Sequence, residues 1–305
     1  MRLVSYRHQG VPGVGVMVDD AGFVALPKAA PDLPRGLRGI LELGEAGLRR
    51  AREAAEGRAP DLRLDQVSVD PVIPEPHAIW CLALNFKLHI EETRLSTSPD
   101  YPQIFLRTPA SQVGHNQPML CPNPKIARAY DYEGELAVVI GRGGRHIPER
   151  EALAHVAGYS CYNEGSVREF QAHNRQFGLG KNFERSGSFG PWLMTPDEFG
   201  DPYAQTVTTR LNGVDRQQGA LDGMLFTIER VIAYLSTGYA LRPGDVISMG
   251  APGALPLGPG ETAEQFGPIK IPGVVHMKPG DIVSVEITGL GTLVNPIVAD
   301  GAPVP

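Results

Sequence analysis

The run Leu136-Ala137-Val138-Val139-Ile140 offers no polar position to water on either side. In a strand, residues i and i+2 share one face. A strand that is apolar on both faces has to be covered on both, so this segment predicts a central strand inside a layered, sheet-based fold. The residues leading into it are Tyr130-Asp131-Tyr132-Glu133-Gly134-Glu135. Glu133 and Glu135 therefore point the same way at the mouth of a buried strand. Two adjacent carboxylates repel unless a cation or a proton separates them. A Glu-x-Glu pair alone is equally an ordinary solvated strand edge, and only its position singles it out.

The rest of the chain reads as short strands between tight turns. Glycine and proline, 36 and 28 of 305 residues, make up about a fifth of the chain, well above the usual share. Strands are expected at 78–84, 103–107, 135–141, 156–162, 207–211, 246–249 and 282–287. Asn212-Gly213 tolerates positive φ at both positions and predicts a two-residue hairpin turn. Beyond residue 76, helices are expected at 148–155, 164–174 and 227–236. No regular βαβ alternation appears, which excludes a Rossmann fold or a (β/α)8 barrel. The glycines after the central strand lack GxGxxG spacing and make no dinucleotide site. Residues 1–70 read as a small α+β unit: strands at 2–6, 15–18 and 22–25, then an amphipathic helix over 37–56 interrupted at Gly44. The proline-rich stretch 69–76 is the expected boundary with the remainder, 71–305. The predicted class is a mixed, β-dominated α+β fold.

A third carboxylate, Glu164, lies where the strand at 156–162 is expected to pass into a helix. There it could equally form a surface pair with Arg168 at i+4. Three carboxylates with no Cys or His cluster make a hard-oxygen set that suits Mg²⁺ or Mn²⁺ rather than Zn²⁺. His89 and Glu92 are i, i+3 neighbours if helical, and Glu92 could orient His89 as a general base. A solvated helical pair has the same spacing. Lys181 sits in Gly178-Leu179-Gly180-Lys181, where glycines let backbone approach a ligand; a surface lysine is the alternative.

A net charge of −6 leaves no basic footprint for nucleic acid or an anionic membrane. No run approaches the ~18 apolar residues of a membrane span. Met1–Arg7 lacks the apolar core of a signal peptide. Cys81, Cys121 and Cys161, an odd number without CxxC spacing, are expected as free buried thiols in a reducing compartment. The expectation is a soluble cytoplasmic protein.

Taken together, these segments resemble the fumarylacetoacetate hydrolase family from about residue 79 to 295. The match begins with Leu84-Asn85-Phe86, His89 and Glu92, and continues through Gln103–Arg107, Asp131–Gly141 and Val156–Tyr159. It then takes in Ser166-Val167-Arg168 with Gln171, Gly180-Lys181, Gly190-Pro191-Trp192, Leu211–Gly213, Pro243–Ile247 and Gly289–Leu293. The resemblance implies a β-roll catalytic domain with a small N-terminal accessory domain, usually in a homodimer. It implies one divalent metal on Glu133, Glu135 and Glu164, chelated by a small-molecule 2-oxo acid. It further implies a lid carrying His89 and Glu92, and substrate contacts from Lys181, Arg168 and Gln171. Two departures stand out. Glu164 replaces the family's usual Asp, and Ala251 replaces the Thr of its Gly-Thr-Pro loop, so the hydroxyl that would meet a substrate carboxylate is missing. The leading expectation is hydrolysis of a C–C bond in a 2,4-dioxo acid of the acylpyruvate type, with His89 activating water. Decarboxylation or tautomerisation of a 2-oxo acid on the same metal is the alternative, and a family member without catalysis the third.

Overall fold

The computed structural model describes residues 1–87, 99–258, 260–262 and 274–303. Its framework is a twelve-stranded sheet whose main path runs Leu62–Arg63, Gly22–Ala25, Val11–Met17, Arg2–His8, Gly187–Met194, Val156–Asn163, Gly134–Ile140, Val246–Ser248, Ile79–Ala83 and Gln103–Arg107. A five-stranded sheet, Val214–Ala220, Thr206–Leu211, Ile282–Ile287, Gly291–Ala299 and Met119–Cys121, packs against it. The mixed, sheet-dominated α+β class expected from sequence is the class observed.

The strand Gly134–Ile140 lies inside the large sheet and is buried throughout. Leu136, Val138 and Ile140 enter the core between the two sheets, with Val207, Val285, Ile287 and Leu293 opposite. Ala137 and Val139 enter a second core, capped by Leu37, Ile40, Leu41 and Ala51. The continuous apolar run is thus explained by cover on both faces. Those capping residues belong to the helices Leu37–Glu42 and Glu45–Ala55, separated at Gly44 where φ is +64°. Within the first seventy residues, Arg2–His8 also pairs antiparallel with Gly187–Met194. Sheet and core therefore both run across the expected boundary near residue 70.

The Asn212-Gly213 turn forms, with positive φ at both residues and Leu211 opposite Val214. The helix expected over 164–174 is largely replaced. Ser166–Val167 pairs with Tyr130–Asp131, and only Arg168–Gln171 is helical. Gly165 packs so closely on the Ser186 carbonyl that a Cβ would lie 1.7 Å from its oxygen. Tertiary pairing thus holds extended a segment that local pattern reads as helix. The strands Gly187–Met194 and Gly291–Ala299 form where the sequence gives no strand signal, since their glycines and prolines mask the alternation. Among the described residues no helix is long and apolar enough to cross a membrane.

Leu193 is fully buried in the core shared by the N-terminal helices and the central strands. Leu193→Ala should cost about 2–5 kcal/mol. In urea the loss should appear as one earlier transition for the whole chain. Separate release of the first seventy residues would show that the shared core does not couple them.

Candidate active site

Strand register brings the site together. Phe105 stands opposite Cys81, Cys81 opposite Ser248, and Ser248 opposite Ala137. Glu135, two residues before Ala137, therefore shares their face, and Tyr162 stands directly opposite Glu135. The result is a row of side chains from five strands on one side of the sheet.

At its end Glu133, Glu135 and Glu164 are all buried, as are Asp131, Arg168 and Lys181. Lys181 Nζ donates to Glu133 Oε2 and, at 2.8 Å, to Glu164 Oε2. Arg168 donates through Nε and Nη2 to Asp131 Oδ2 at 2.9 and 2.7 Å. Its Nη2 also reaches Glu133 Oε1 at 3.0 Å, and Nη1 reaches Gln171 Oε1 at 2.8 Å. The Ser166 hydroxyl donates to Glu133 Oε2 at 2.6 Å. Glu135 Oε2 accepts from the Ser248 hydroxyl and from Gly250 N–H at 2.8 Å. Lys181 and Arg168 meet because Gly180 lies against the helix Arg168–Gln171, where a Cβ would come 2.1 Å from the Gln171 nitrogen. The Phe105 ring lies 5.1 Å from Lys181 Nζ and shields it from water.

These contacts split the acids electrically. Burial pushes the Glu133 carboxyl up, but Arg168 and Lys181 outweigh it and hold Glu133 far below the usual carboxylate range. Glu135 goes the other way: burial first, then Glu164 and Glu133, raise it well above its ordinary 4.5. Burial would lower the Lys181 ammonium, yet Glu133 and Glu164 raise it, so Lys181 stays charged. Buried Arg107, bonded to Ser111, Gly165 and Ser186, adds a positive charge that Glu164 feels. Even with Arg107 counted, the four acids outnumber the three cations once Glu135 is ionised; with Glu135 protonated the charges balance.

That deficit is the test of fit for a divalent ion. The donor set is hard oxygen throughout, and Glu164 Oε1 is buried with no hydrogen-bond partner among the described residues. Both features suit Mg²⁺ or Mn²⁺. Among the described residues, no three Asp, Glu, His or Cys groups already converge as a cage; Lys181 stands between two of the acids instead. An ion held by Glu133, Glu135 and Glu164 would therefore share those carboxylates with Lys181.

Of the residues singled out in sequence, the structure unites Glu133, Glu135, Glu164, Lys181, Arg168 and Gln171. The alternative pairing of Glu164 with Arg168 does not form: Arg168 goes to Asp131 and Glu133. Ala251 is buried beside Gly250, the residue whose N–H meets Glu135. His89 and Glu92 lie outside the described residues. Sequence reasoning gave no role to Asp131, Ser166, Ser248, Arg107, Cys81 or Tyr162. Asp131 continues the same two-residue alternation as Glu133 and Glu135 and could have been found that way. The others arrive through long-range pairing that leaves no local signal.

The raised Glu135 carboxyl has a measurable consequence. Between pH 4.5 and its raised value, the folded protein holds a proton that the unfolded chain has released. This group's contribution to stability therefore falls as pH rises through that window. A metal that takes Glu135 ionised competes with that proton. The Tm gain from excess Mg²⁺ or Mn²⁺ over chelator should thus be larger at about pH 8 than at about pH 6, and Glu135→Gln should diminish it. Equal gains at both pH values would count against Glu135 as a ligand.

The chain is also similar to known proteins along nearly its whole length. The fumarylacetoacetate (FAA) hydrolase C-terminal family model matches residues 78–298. The chain is 35% identical over 303 residues to mitochondrial oxaloacetate tautomerase FAHD2A of Homo sapiens, covering 98% of this chain and 92% of that protein. It is 32% identical over 300 residues to oxaloacetate tautomerase YisK of Bacillus subtilis, covering 93% and 95%. The solved fumarylacetoacetate hydrolase of Exiguobacterium antarcticum superposes with a TM-score of 0.77 at 29% identity, covering 98% of this chain and all of that one. On the family match, the near-full-length relatives and the fold together, this chain belongs to the fumarylacetoacetate hydrolase family.

Proposed function

We propose that this protein is a divalent-metal-dependent keto–enol tautomerase of a 2-oxo acid of the oxaloacetate type. The observation that carries the reading is the buried excess of acids over cations around Lys181. A divalent ion would turn that excess into a small positive charge, which suits an anionic 2-oxo acid. Similarity along nearly the whole chain to two oxaloacetate tautomerases supports the substrate class.

Bound at Glu133, Glu135 and Glu164, Mg²⁺ or Mn²⁺ would supply Lewis-acid polarisation of the 2-oxo group. The protein's own groups do the rest. Lys181 has three N–H donors; two are on Glu133 and Glu164, and the third is left for a substrate oxygen. Of the five donors of Arg168, four are committed to Asp131, Glu133 and Gln171. Arg168 therefore offers the substrate a single N–H rather than a two-pronged clamp. Its main work is to keep Glu133 ionised and oriented. The proton transfer at C3 falls to His89, with Glu92 as the group that would orient it. Tautomerisation needs nothing more: one proton leaves carbon and one reaches oxygen.

Hydrolysis of an acylpyruvate-type 2,4-dioxo acid uses the same Lys181 and adds an attacking water, so products decide between the two. Purified protein with Mg²⁺ or Mn²⁺ should speed the approach of oxaloacetate to keto–enol equilibrium, followed by enol absorbance in a stopped-flow instrument. His89→Ala should slow this by about 10²–10⁴-fold while metal content stays constant. Release of ¹⁸O-labelled acid from an acylpyruvate in labelled water, with no effect on oxaloacetate, would instead assign the hydrolase.

Ala251 supplies a further comparison. Its methyl cannot donate to a second substrate carboxylate, which on its own favours a substrate less acidic at that end. If Ala251 faces the substrate, Ala251→Thr should raise kcat/KM for oxaloacetate relative to a monocarboxylic 2-oxo acid by about tenfold or more. An unchanged ratio would remove Ala251 from the substrate contacts.

A further inference from the structure

The middle residue of Glu133-Gly134-Glu135 sits where no side chain fits: a Cβ on Gly134 would lie 2.0 Å from Thr209 Oγ1. That close approach lays the second sheet against the backbone between the two glutamates. Thr209 pairs with Gln217 on the strand Val214–Ala220, beside a register shift that leaves Arg216 as an extra, bulged residue. Bulges interrupt strand alternation and re-aim side chains; here Arg216 and Gln217, although consecutive, are both buried. Gln217 Oε1 accepts from Gly134 N–H at 3.1 Å, and Gln217 Nε2 donates to the Pro252 carbonyl at 3.4 Å. A side-chain amide can accept at one end and donate at the other, whereas a carboxylate or an ammonium does only one of these.

Further contacts hold the same loop to the same strand. Leu255 N–H donates to the Arg216 carbonyl at 2.7 Å, and Ala254 bridges to Gln217. Gly219 lies so near the loop that a Cβ would come 2.6 Å from Pro252 Cβ. The loop begins at Gly250, whose N–H holds Glu135 Oε2 at 2.8 Å. Residues 134–135 and 250–252 are thus linked at one end by Gln217 and at the other by the Gly250–Glu135 bond. The two links close a ring that includes Ala251.

We infer that Gln217 is a positioning residue that fixes the backbone between Glu133 and Glu135, and with it the loop at Ala251, for metal binding. The inference rests on the reading of Glu133, Glu135 and Glu164 as the metal-binding set. Gln217 acts through the Gly134 N–H and the Gly250 loop. Groups that orient ligating carboxylates typically matter 10–100-fold in metal affinity.

The test is Mn²⁺ titration of the full chain, well below the Tm of each variant, with free ion read by electron paramagnetic resonance. Wild type is compared with Gln217→Met, Gln217→Asn and Glu133→Gln. Gln217→Met keeps the length but removes the amide, and should weaken Mn²⁺ binding by about 10–100-fold. Gln217→Asn keeps an amide that is one methylene too short to span both partners. It should shift affinity in the same direction, and it carries the test if the methionine variant fails to fold. Wild-type affinity in the Gln217 variants together with weakened binding in Glu133→Gln would leave the metal site standing and overturn the role of Gln217. A lower Tm in chelator with Mn²⁺ affinity unchanged would overturn it too, by assigning Gln217 to the fold alone. Wild-type affinity in all three variants would overturn the metal-binding set and this inference with it.

Discussion

Glu133 is the acid on which the site depends. It is gripped from two sides, by Arg168 on one oxygen and by Lys181 and Ser166 on the other. Burying a carboxylate without such partners would cost several kcal/mol, and removing one partner of a buried pair typically costs about 3–5 kcal/mol. Because Glu133 absorbs the nearest positive charge, Glu135 is left to face Glu164 with little relief. The same contacts that stabilise one acid therefore unbalance the others. A cation-seeking site results from satisfying Glu133 first.

The scaffold makes that arrangement affordable. Five strands contribute one residue each to the row Phe105, Cys81, Ser248, Glu135 and Tyr162, and the central strands Gly134–Ile140 and Val156–Asn163 are buried throughout. The N-terminal helices cover the face from which this row projects. They take no part in the chemistry of the site, yet they keep solvent from the strands beneath it. The low-dielectric surroundings that strengthen every charge interaction at the site thus come partly from residues 1–70.

This economy bears on the choice among related reactions. Tautomerisation, decarboxylation and C–C hydrolysis all need a polarised 2-oxo acid and a charged donor at its oxygen. Lys181 is such a donor, held charged by its own acids. Hydrolysis is set apart by an attacking water, and tautomerisation from decarboxylation by whether a C–H or a C–C bond breaks. Shared architecture carries family membership; the outcome is a matter of a few side chains.

The sequence by itself determined a central strand over 135–141, observed as Gly134–Ile140, because five successive apolar residues leave no face for water. It determined that Glu133 and Glu135 share a side, because strand geometry alternates strictly. It also marked Glu164, Lys181, Arg168 and Gln171 through their family-like spacing, and the hairpin at Asn212-Gly213 through residues that accept positive φ. Only the tertiary structure decided that Arg168 serves Asp131 and Glu133 rather than Glu164, because the pairing of Ser166–Val167 with Tyr130–Asp131 overrides local helix preference. Only it joined the first seventy residues to the strands that carry the candidate site in one sheet. Ser248, Cys81 and Tyr162 became part of the site for the same reason: cross-strand register joins residues dozens of positions apart, and nothing local in the chain encodes which neighbour each will meet.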